Sequence, residues 1–473
     1  VINSGKITAK TAISVLDSTV HGAVTDGGTI LATSRGILIG GAGVVSGGIK
    51  VGSQGAISAG TAIAVSHSTT FTGGITNAGT ISAVRDGILV SSAAVFGNRS
   101  NGGVSNSGMI SAHVRGIEVE FTSTFAGGIV NSGKVSAGTS AIRVSTVASV
   151  AGGISNNGTL SGGRGIFLTN VAAFGTAGAG GGIVNRGAIS AHAAGIFLTA
   201  VALFGSSSAG GGISNSGTIS SATAQGILLD NVTTFAGSVG NSGTISAGAA
   251  GIDLSQVSTF AGGIGNSGVI SGGTGIALGG LSSFAHGINN RGTIAARLDG
   301  IHVNLVTAFA GGISNSKAST IAAMLSAGIF VSSVAVFGNT SAGGGIANSG
   351  TISAGGFAIH LVNISTFAGG ITNRGNITAG ASGINFSAVS TFVGGIGNSG
   401  TISAQSSGIF ISAVSTFAGG ITNSGAISAG FDGVDIDAIS AFAGGIINSG
   451  TISAAVSGIF FGDISLFVGS VTN

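Results

Sequence analysis

The sequence contains no cysteine, proline, tryptophan or tyrosine, and it has only 15 basic and 12 acidic side chains in 473 residues. Without cysteine the chain can form neither a disulfide nor a thiolate metal site. So few charges, together with 93 glycines, do not match the composition of an ordinary globular enzyme. The net charge is +3 and no stripe of Lys and Arg is present, which argues against nucleic acid as a partner.

Long apolar runs are also missing. Gly, Ser, Asn or Thr interrupts every few positions, so no segment reaches the roughly 20 apolar residues that a membrane-spanning helix needs. A hydrophobic content of 43% is nevertheless too high for a disordered Gly/Ser linker, so we expect a folded chain. The opening VINSG lacks the pattern of a signal sequence, and any export signal or anchor is expected outside these residues.

An asparagine recurs at intervals of 25 residues near the C-terminal end, and at intervals of 24 to 33 toward the N-terminus. Asp26 takes its place once, and the GSQG stretch near residue 53 has lost it. Between these positions short stretches alternate apolar and small polar residues, which is the period of a strand. The repeat predicts an all-β parallel β-helix (β-solenoid) of about 19 coils, with three short strands per coil. We expect residues 1–473 to form one continuous solenoid, on the order of 90 Å long at the usual spacing of strands.

Two columns of the repeat are expected to be structural ladders. One is a stack of core phenylalanines at a corner, and the other is a row of inward-facing asparagine amides that bond along the axis and to the local backbone. We expect these asparagines at a bend with left-handed geometry, the following glycine at positive φ, and the Gly-Gly pair before Ile at a close approach of backbones. The ladder residues of the regular region are Phe367, Phe392, Phe417, Phe442, Asn348, Asn373, Asn398, Asn423 and Asn448.

The repeat is interrupted by insertions near residues 97–102, 175–181, 205–211, 316–320 and 338–344. Three coils with such a loop also place a phenylalanine, Phe167, Phe197 or Phe330, at an outward position. Either each loop covers its own exposed side chain, or the Phe167 and Phe197 pair forms an apolar surface for a ligand or partner. Phe410 and Phe460 occupy the same outward position without a loop and form a second candidate surface.

The few charges suggest no catalytic site. In register, Asp86 lies beside Arg115 and Glu118 beside Arg143, which predicts solvated cross-strand ion pairs in preference to catalytic groups. The histidines show no catalytic spacing, so surface positions are expected for them. An acidic group near the C-terminal end lacks the regular calcium-binding nonapeptide pattern. We therefore predict no catalytic residue, no cofactor and no metal. The acidic group comprises Asp432, Asp435, Asp437 and Asp463.

One rival interpretation comes from parallel rows of hydroxyls, such as Thr401 with Ser403 and Thr451 with Ser453, a layout that ice-binding solenoids use. The rows are interrupted, for example by Lys134 and Ala295. Small polar residues are expected on the outside of any solenoid, so this interpretation ranks below a structural one.

Units such as STFAGGITNSGAISAG, residues 415–430, resemble the passenger repeats of autotransporter proteins (type V secretion), especially the Gly/Ser/Asn-rich ones of alphaproteobacteria. The resemblance implies a right-handed parallel β-helix that is exported through an outer-membrane barrel, itself outside this fragment. It also implies display at the bacterial cell surface for adhesion, aggregation or as a stalk.

We therefore expect an extracellular, non-enzymatic shaft of a surface adhesin. Its expected partners are further copies of itself, or a host or neighbouring cell surface, with glycans as one candidate. The alternative is a subunit of a filament that stacks end to end, because both ends stop in mid-repeat without a cap. A polysaccharide-active β-helix is a third and weaker alternative.

Overall fold

A computed structural model describes residues 1–41, 44–68, 70–98, 102–175, 181–206, 211–339 and 344–473, without the side chains of residues 44 and 45. The fold is a β-solenoid of about 18 turns, with parallel strands throughout and no helix among the described residues. The chain divides into two compact units, Val1–Ser238 and Val239–Asn473. The all-β parallel solenoid predicted from the repeat is confirmed.

Each turn contains a short first strand that ends in the ladder asparagine, a second strand of the T-I-S-A type, and a longer third strand that ends at the core phenylalanine. In each unit the first strands pair with one another, and the second and third strands form a separate sheet. Equivalent residues of successive turns pair directly, as Ile371, Ile396 and Ile421 do. The sequence period is therefore the length of one turn.

The first strands of the N-terminal unit are Ile2–Asn3, Val24–Asp26, Ile49–Val51, Ile75–Asn77, Val104–Asn106, Ile129–Asn131, Ile154–Asn156, Ile183–Asn185 and Ile213–Asn215. Its second strands are Ala56–Ala59, Thr80–Ala83, Met109–Ala112, Lys134–Ala137, Thr159–Gly162, Ala188–Ala191 and Thr218–Ser221. Its third strands are Thr61–Ser66, Asp86–Ser91, Arg115–Glu120, Ser140–Val150, Arg164–Phe174, Ile196–Phe204 and Ile227–Phe235. Second and third strands are fused in Lys6–Leu16 and Thr29–Gly40, and short pieces follow at Val44–Val45, Thr70–Phe71, Val95–Phe96 and Thr124–Phe125.

The first strands of the C-terminal unit are Val239–Asn241, Ile264–Asn266, Ile288–Asn290, Ile313–Asn315, Ile346–Asn348, Ile371–Asn373, Ile396–Asn398, Ile421–Asn423, Ile446–Asn448 and Val471–Thr472. Its second strands are Thr244–Ala247, Val269–Gly272, Thr293–Ala296, Thr320–Ala323, Thr351–Ala354, Asn376–Ala379, Thr401–Ala404, Ala426–Ala429 and Thr451–Ala454. Its third strands are Ala250–Phe260, Thr274–Phe284, Ile301–Phe309, Ile329–Phe337, Ile359–Phe367, Ile384–Phe392, Ile409–Phe417, Val434–Phe442 and the pair Ile459–Phe461 and Ile464–Phe467.

The solenoid has about 18 turns where the sequence predicted about 19. The difference arises because the prediction counted asparagine-type positions. The last of these, Asn473, is the final residue and is followed by no second or third strand.

The phenylalanine column forms a stack in the core. In the C-terminal unit the ring centroids of Phe392 and Phe417 are 4.7 Å apart, and those of Phe417 and Phe442 are 4.8 Å apart. Phe417 is completely buried. In the N-terminal unit the stack is interrupted at Val150, which lies in register with Phe125 and Phe174. Ring-on-ring contact between successive turns therefore forms one wall of the core.

The asparagine column forms a continuous hydrogen-bonded ladder in the regular region. Asn373 Nδ2 donates to Asn398 Oδ1 at 2.8 Å, and Asn398 Nδ2 donates to Asn423 Oδ1 at 2.7 Å. Each amide also donates to its own turn, as Asn398 does to the Gly400 carbonyl at 3.3 Å. These side chains are almost fully buried, and the ladder satisfies their polar atoms without water.

Asp26 ends such a ladder. It accepts a hydrogen bond from Asn3 Nδ2 at 2.7 Å and lies in register with Val51, which offers no acceptor. An asparagine at this position would direct a buried amide donor at an apolar side chain, whereas a carboxyl group only needs to accept. Burial raises the pKa of Asp26.

The left-handed residue of each turn is in a different place from the one predicted. The ladder asparagines and the glycines that follow them are not at positive φ, whereas a residue in the middle of the third strand is, as at Ala388 (54°), Ala413 (51°) and Ala438 (52°). Strand pairing continues on both sides of this residue, from Ser412 to Val414 for example. A left-handed residue thus bends the third strand without interrupting its ladder.

Glycines at two positions of the repeat allow the backbones of successive turns to approach closely. Such an approach was predicted only for the Gly-Gly pair. A Cβ on Gly394 would lie 2.1 Å from the Gly369 carbonyl oxygen, as expected. A Cβ on Gly400, two residues after a ladder asparagine, would lie 2.0 Å from the Gly375 carbonyl oxygen. The glycine after the asparagine is therefore required by close contact and not by its φ angle.

Candidate functional site

The outward side of the third strand, before its bend, is recessed. Its outward side chains are half-buried or buried except at the last turn, where Phe460 is exposed, whereas outward hydroxyls of the second strand, such as Thr401 and Ser403, are exposed. We call this surface the recessed face. In successive register its central column is Leu89, Glu118, Arg143, Phe167, Phe197 and Leu228 in the N-terminal unit. In the C-terminal unit it is Asp253, Ala277, His302, Phe330, His360, Asn385, Phe410, Asp435 and Phe460.

The recessed face carries the ion pairs predicted from the sequence. Glu118 Oε1 lies 2.7 Å from Arg143 Nη1, and Glu118 Oε2 lies 2.8 Å from Arg115 Nε. Ser145 Oγ donates to Glu118 Oε1 at 3.3 Å. Asp86 Oδ1 lies 3.7 Å from Arg115 Nη1, a distance that allows charge attraction but no hydrogen bond. The structure therefore brings both predicted pairs together in one cluster of four charged residues.

The prediction that these pairs are solvated is wrong. The side chain of Glu118 is 0% exposed and that of Asp86 is 1% exposed, because the face on which they lie is recessed. Burial raises the pKa of Glu118 to about 7, against the opposing charges of Arg115 and Arg143. Burial also raises the pKa of Asp86, whose carboxylate oxygens make no hydrogen bond. Strand alternation alone does not reveal this, because it places both residues on the outside.

Phe167 and Phe197 form a stacked pair beside this cluster. Their ring centroids are 5.1 Å apart at an interplanar angle of 19°, and both rings are half-buried. The guanidinium carbon of Arg164 lies 4.5 Å from the Phe167 centroid and 5.5 Å from that of Phe197, and that of Arg143 lies 5.8 Å from Phe167. The guanidinium groups of Arg164 and Arg143 thus lie within cation–π distance of the stacked rings.

The loops that accompany these rings lie largely outside the described residues, at 99–101, 176–180, 207–210 and 340–343. The choice between a covering loop and an exposed ligand surface therefore stays a prediction. The insertion at 316–320 is described and forms a tight turn, in which Ser319 N and Oγ donate to the Ser316 carbonyl and Ala318 has a φ of 63°.

In the C-terminal unit the recessed face combines histidine with phenylalanine. The Phe330 centroid lies 4.8 Å from the ring of His302 and 5.0 Å from that of His360, and Phe357 lies 4.5 Å from His360. His302 Nδ1 lies 3.2 Å from Asp299 Oδ2. These two histidines lie on the outer surface, as expected, but they are only partly exposed because they pack against Phe330. The repeat places His302 and His360 in one outward column, but it does not reveal that they pack against Phe330.

The pKa values of two titrating groups in this cluster, His360 and Asp299, are both lowered, but for different physical reasons. Burial lowers the pKa of His360. Burial alone would raise the pKa of Asp299, but hydrogen bonds from His302, Ser326 and the Ala327 amide hold it below its usual value. A charged Asp299 therefore lies on the same face as a neutral His360.

The other two outward phenylalanines do not join an aromatic cluster. Phe410 pairs in register with Asn385 on one side and Asp435 on the other, and Phe460 follows Asp435. The side chain of Phe460 is 43% exposed. The structure thus separates the predicted set into one stacked pair, one His-flanked ring and two rings without an aromatic partner on adjacent turns.

Of the acidic residues near the C-terminal end, Asp432, Asp435 and Asp437 lie on one turn and Asp463 lies on the next. Asp432 Oδ1 accepts a hydrogen bond from the Ser457 amide at 2.9 Å. Burial raises the pKa of Asp435, and the charges of Asp432 and Asp437 act in the same direction. No group of three or more residues suited to hold a metal ion occurs within the described ranges.

The hydroxyl rows have the predicted register, with Thr401 between Asn376 and Ala426. Residues that interrupt the rows in the sequence therefore also interrupt the rows of hydroxyls on the folded surface. No helix in the described part of the chain has the length and hydropathy to cross a bilayer.

Comparison with known proteins found no match to a family model, to a curated protein or to a solved structure. Functional interpretation therefore depends on the geometry of the chain itself and on the resemblance of its repeats.

Proposed function

We propose that this chain is the non-catalytic structural and adhesive shaft of an extracellular bacterial surface protein, of the kind formed by autotransporter passenger repeats. The observation that supports the proposal best is the asparagine ladder. In the C-terminal unit the ladder runs without a break from Asn241 to Asn473. It continues even across the longest interval, where Asn315 Nδ2 donates to Asn348 Oδ1 at 2.7 Å.

The ladder suits a mechanical role. In the regular region of the C-terminal unit each turn is joined to the next by backbone pairing, by an asparagine amide and by a stacked phenylalanine, so separating two turns breaks all three kinds of contact together. A buried amide left without its partner costs about 1–3 kcal/mol. A shaft that transmits force benefits from such an arrangement, whereas soluble catalysis does not require it.

The non-catalytic part of the proposal is supported by the state of the carboxylates. Glu118 is enclosed by two arginines, and Asp86 is 1% exposed. A general acid or base has to reach the proton that it transfers, and these groups are closed to a substrate in the conformation described.

Surface location is tested by protease treatment of intact cells of the source organism, followed by immunodetection of this chain. We expect loss of the chain from intact cells while a cytoplasmic marker survives. Protection of the chain until the cells are lysed would overturn the proposed location.

The filament alternative is tested by negative-stain electron microscopy of the purified protein over a concentration series. Separate particles at every concentration support a shaft segment. Fibres that lengthen with concentration would favour the filament subunit, in which open strand edges pair end to end.

A further inference from the structure

The region around Phe167 has an unusual charge distribution. Between Glu120 and Asp230 the sequence contains no Asp or Glu, yet it contains four basic residues, Lys134, Arg143, Arg164 and Arg186. Basic residues are about as frequent in this run as in the whole chain, but the absence of acids leaves a local excess of positive charge, reduced where Arg143 pairs with Glu118. Such an excess attracts anions.

Arg164 is the basic residue of this run whose side chain is held in place without an acid. Its guanidinium lies over Phe167 and close to Phe197, and it makes no hydrogen bond or ion pair with the described residues. The side chain is half-buried on the recessed face. By contrast, Arg143 and Arg115 share Glu118. Arg164 therefore retains its hydrogen-bond donors for a ligand, in an orientation set by stacking.

Arg143 lies on the preceding turn and belongs to the same surface, since both guanidinium groups approach the Phe167 ring. Next to this ring, Thr169 and Thr199 place half-exposed hydroxyls in register. The surface thus combines two guanidinium groups, two hydroxyls and two stacked phenylalanine rings on adjacent turns.

We propose that Arg164 and Arg143 form a binding site for the carboxylate or sulfate groups of an acidic polysaccharide that lies along the recessed face. This proposal specifies the class of ligand for the adhesive function proposed above, and it rests on that function. Guanidinium groups bind carboxylate and sulfate oxygens in pairs, and the threonine hydroxyls suit sugar hydroxyls.

Other polymers fit this surface less well. The third strand Arg164–Phe174 is paired on both sides, so a peptide finds no free backbone edge to extend. Phe167 and Phe197 stack on each other, so the faces that they turn toward each other are not open to nucleic acid bases. A polysaccharide needs neither feature.

The test measures binding of the purified chain to polygalacturonate and heparin oligosaccharides by calorimetry, with dextran as the neutral control. We expect Arg164→Gln to weaken binding about tenfold or more, as for loss of a charge-assisted contact. Arg164→Lys keeps the charge but not the planar fork, so a clear loss is expected here too. The matched control is Arg186→Gln, which removes the same charge from an exposed site and should change the affinity less than about twofold.

Equal losses in the Arg164 and Arg186 variants would reveal unspecific charge attraction and overturn the site. Binding of dextran as tightly as the acidic polymers would do the same. Displacement by inorganic sulfate at matched charge concentration would assign the site to a free anion and overturn the polymer. Absence of polyanion binding by a protein that still reaches the cell surface refutes this inference alone, whereas intracellular location refutes the proposed function.

Discussion

Replacing one ladder asparagine should test whether the ladder stabilises the solenoid. Asn398 Nδ2 donates to Asn423 Oδ1 at 2.7 Å, and Asn398 Oδ1 accepts from Asn373 Nδ2 at 2.8 Å. Asn398→Ala removes both ladder bonds, at about 1 kcal/mol each, along with the longer bonds to the Gly400 and Ala426 carbonyls, and leaves the buried Asn423 oxygen without a donor, at about 1–3 kcal/mol. The expected loss of unfolding free energy is therefore about 3–5 kcal/mol.

Asn398→Asp is a sharper variant, because it preserves shape and changes only the donor. The new oxygen would face three acceptors, Asn423 Oδ1 and the carbonyls of Gly400 and Ala426. Burial among acceptors raises the pKa of such a carboxyl group, so its protonated form is favoured in the folded state. Stability is then retained at low pH and lost as the pH rises through the folded-state pKa. Asp26 is tolerated because the next position along its ladder is Val51, which brings no acceptor.

The assay is guanidinium unfolding followed by circular dichroism at pH 4 and pH 7. Because solenoid arrays depart from two-state unfolding, hydrogen exchange across residues 396–423 locates the effect. The control is Asn376→Ala, which makes the same deletion at an exposed position and should cost less than about 0.5 kcal/mol. Equal costs at Asn398 and Asn376, or an Asn398→Asp variant that is indifferent to pH, would refute the reasoning.

Three further predictions concern the glycines, the buried glutamate and the bend. Gly400→Ala should lower the unfolding free energy by about 2–4 kcal/mol, because its Cβ meets a backbone oxygen, whereas Gly397→Ala, with nothing within 4 Å, should be nearly neutral in the same denaturation assay. Glu118 binds a proton more tightly when folded, so wild-type stability should fall between pH 4.5 and about 7, by on the order of 3 kcal/mol. Glu118→Gln should flatten that dependence in unfolding midpoints measured across this range, and an unchanged slope would contradict the assignment. Ala413→Gly should raise the thermal midpoint and Ala413→Val should lower it, because Ala413 is at a φ of 51°; shifts of equal sign would contradict this.

The sequence predicts the solenoid and its ladders because these features arise from self-contact, in which a residue packs against the equivalent residue of the next turn. Asn398 touches Asn373 and Asn423, and Phe417 touches Phe392 and Phe442, so each column favours repetition of the same residue. A residue that packs against its own copy leaves a visible period.

The left-handed bend leaves no such signal. The position is occupied by residues as different as Phe121, Gln256, Leu305 and Ala413, all at positive φ. Its conformation is set by the strands paired on either side of it, which over-determine the backbone whatever the side chain is. Propensity arguments assign left-handed geometry to Asn and Gly, and here tertiary pairing overrides them.

The candidate site could be predicted only in part, for a related reason. Alternation identified Glu118 and Phe167 as outward residues, but the burial of Glu118 depends on the recess of the whole third strand, which no single turn encodes. In the core, self-contact forces each column toward uniformity. On the recessed face the central column changes from Glu118 to Arg143 to Phe167 on successive turns without disturbing the register. Side chains of different chemistry can therefore follow one another there without loss of strand pairing, which makes this face the part of the solenoid best able to carry a specific ligand.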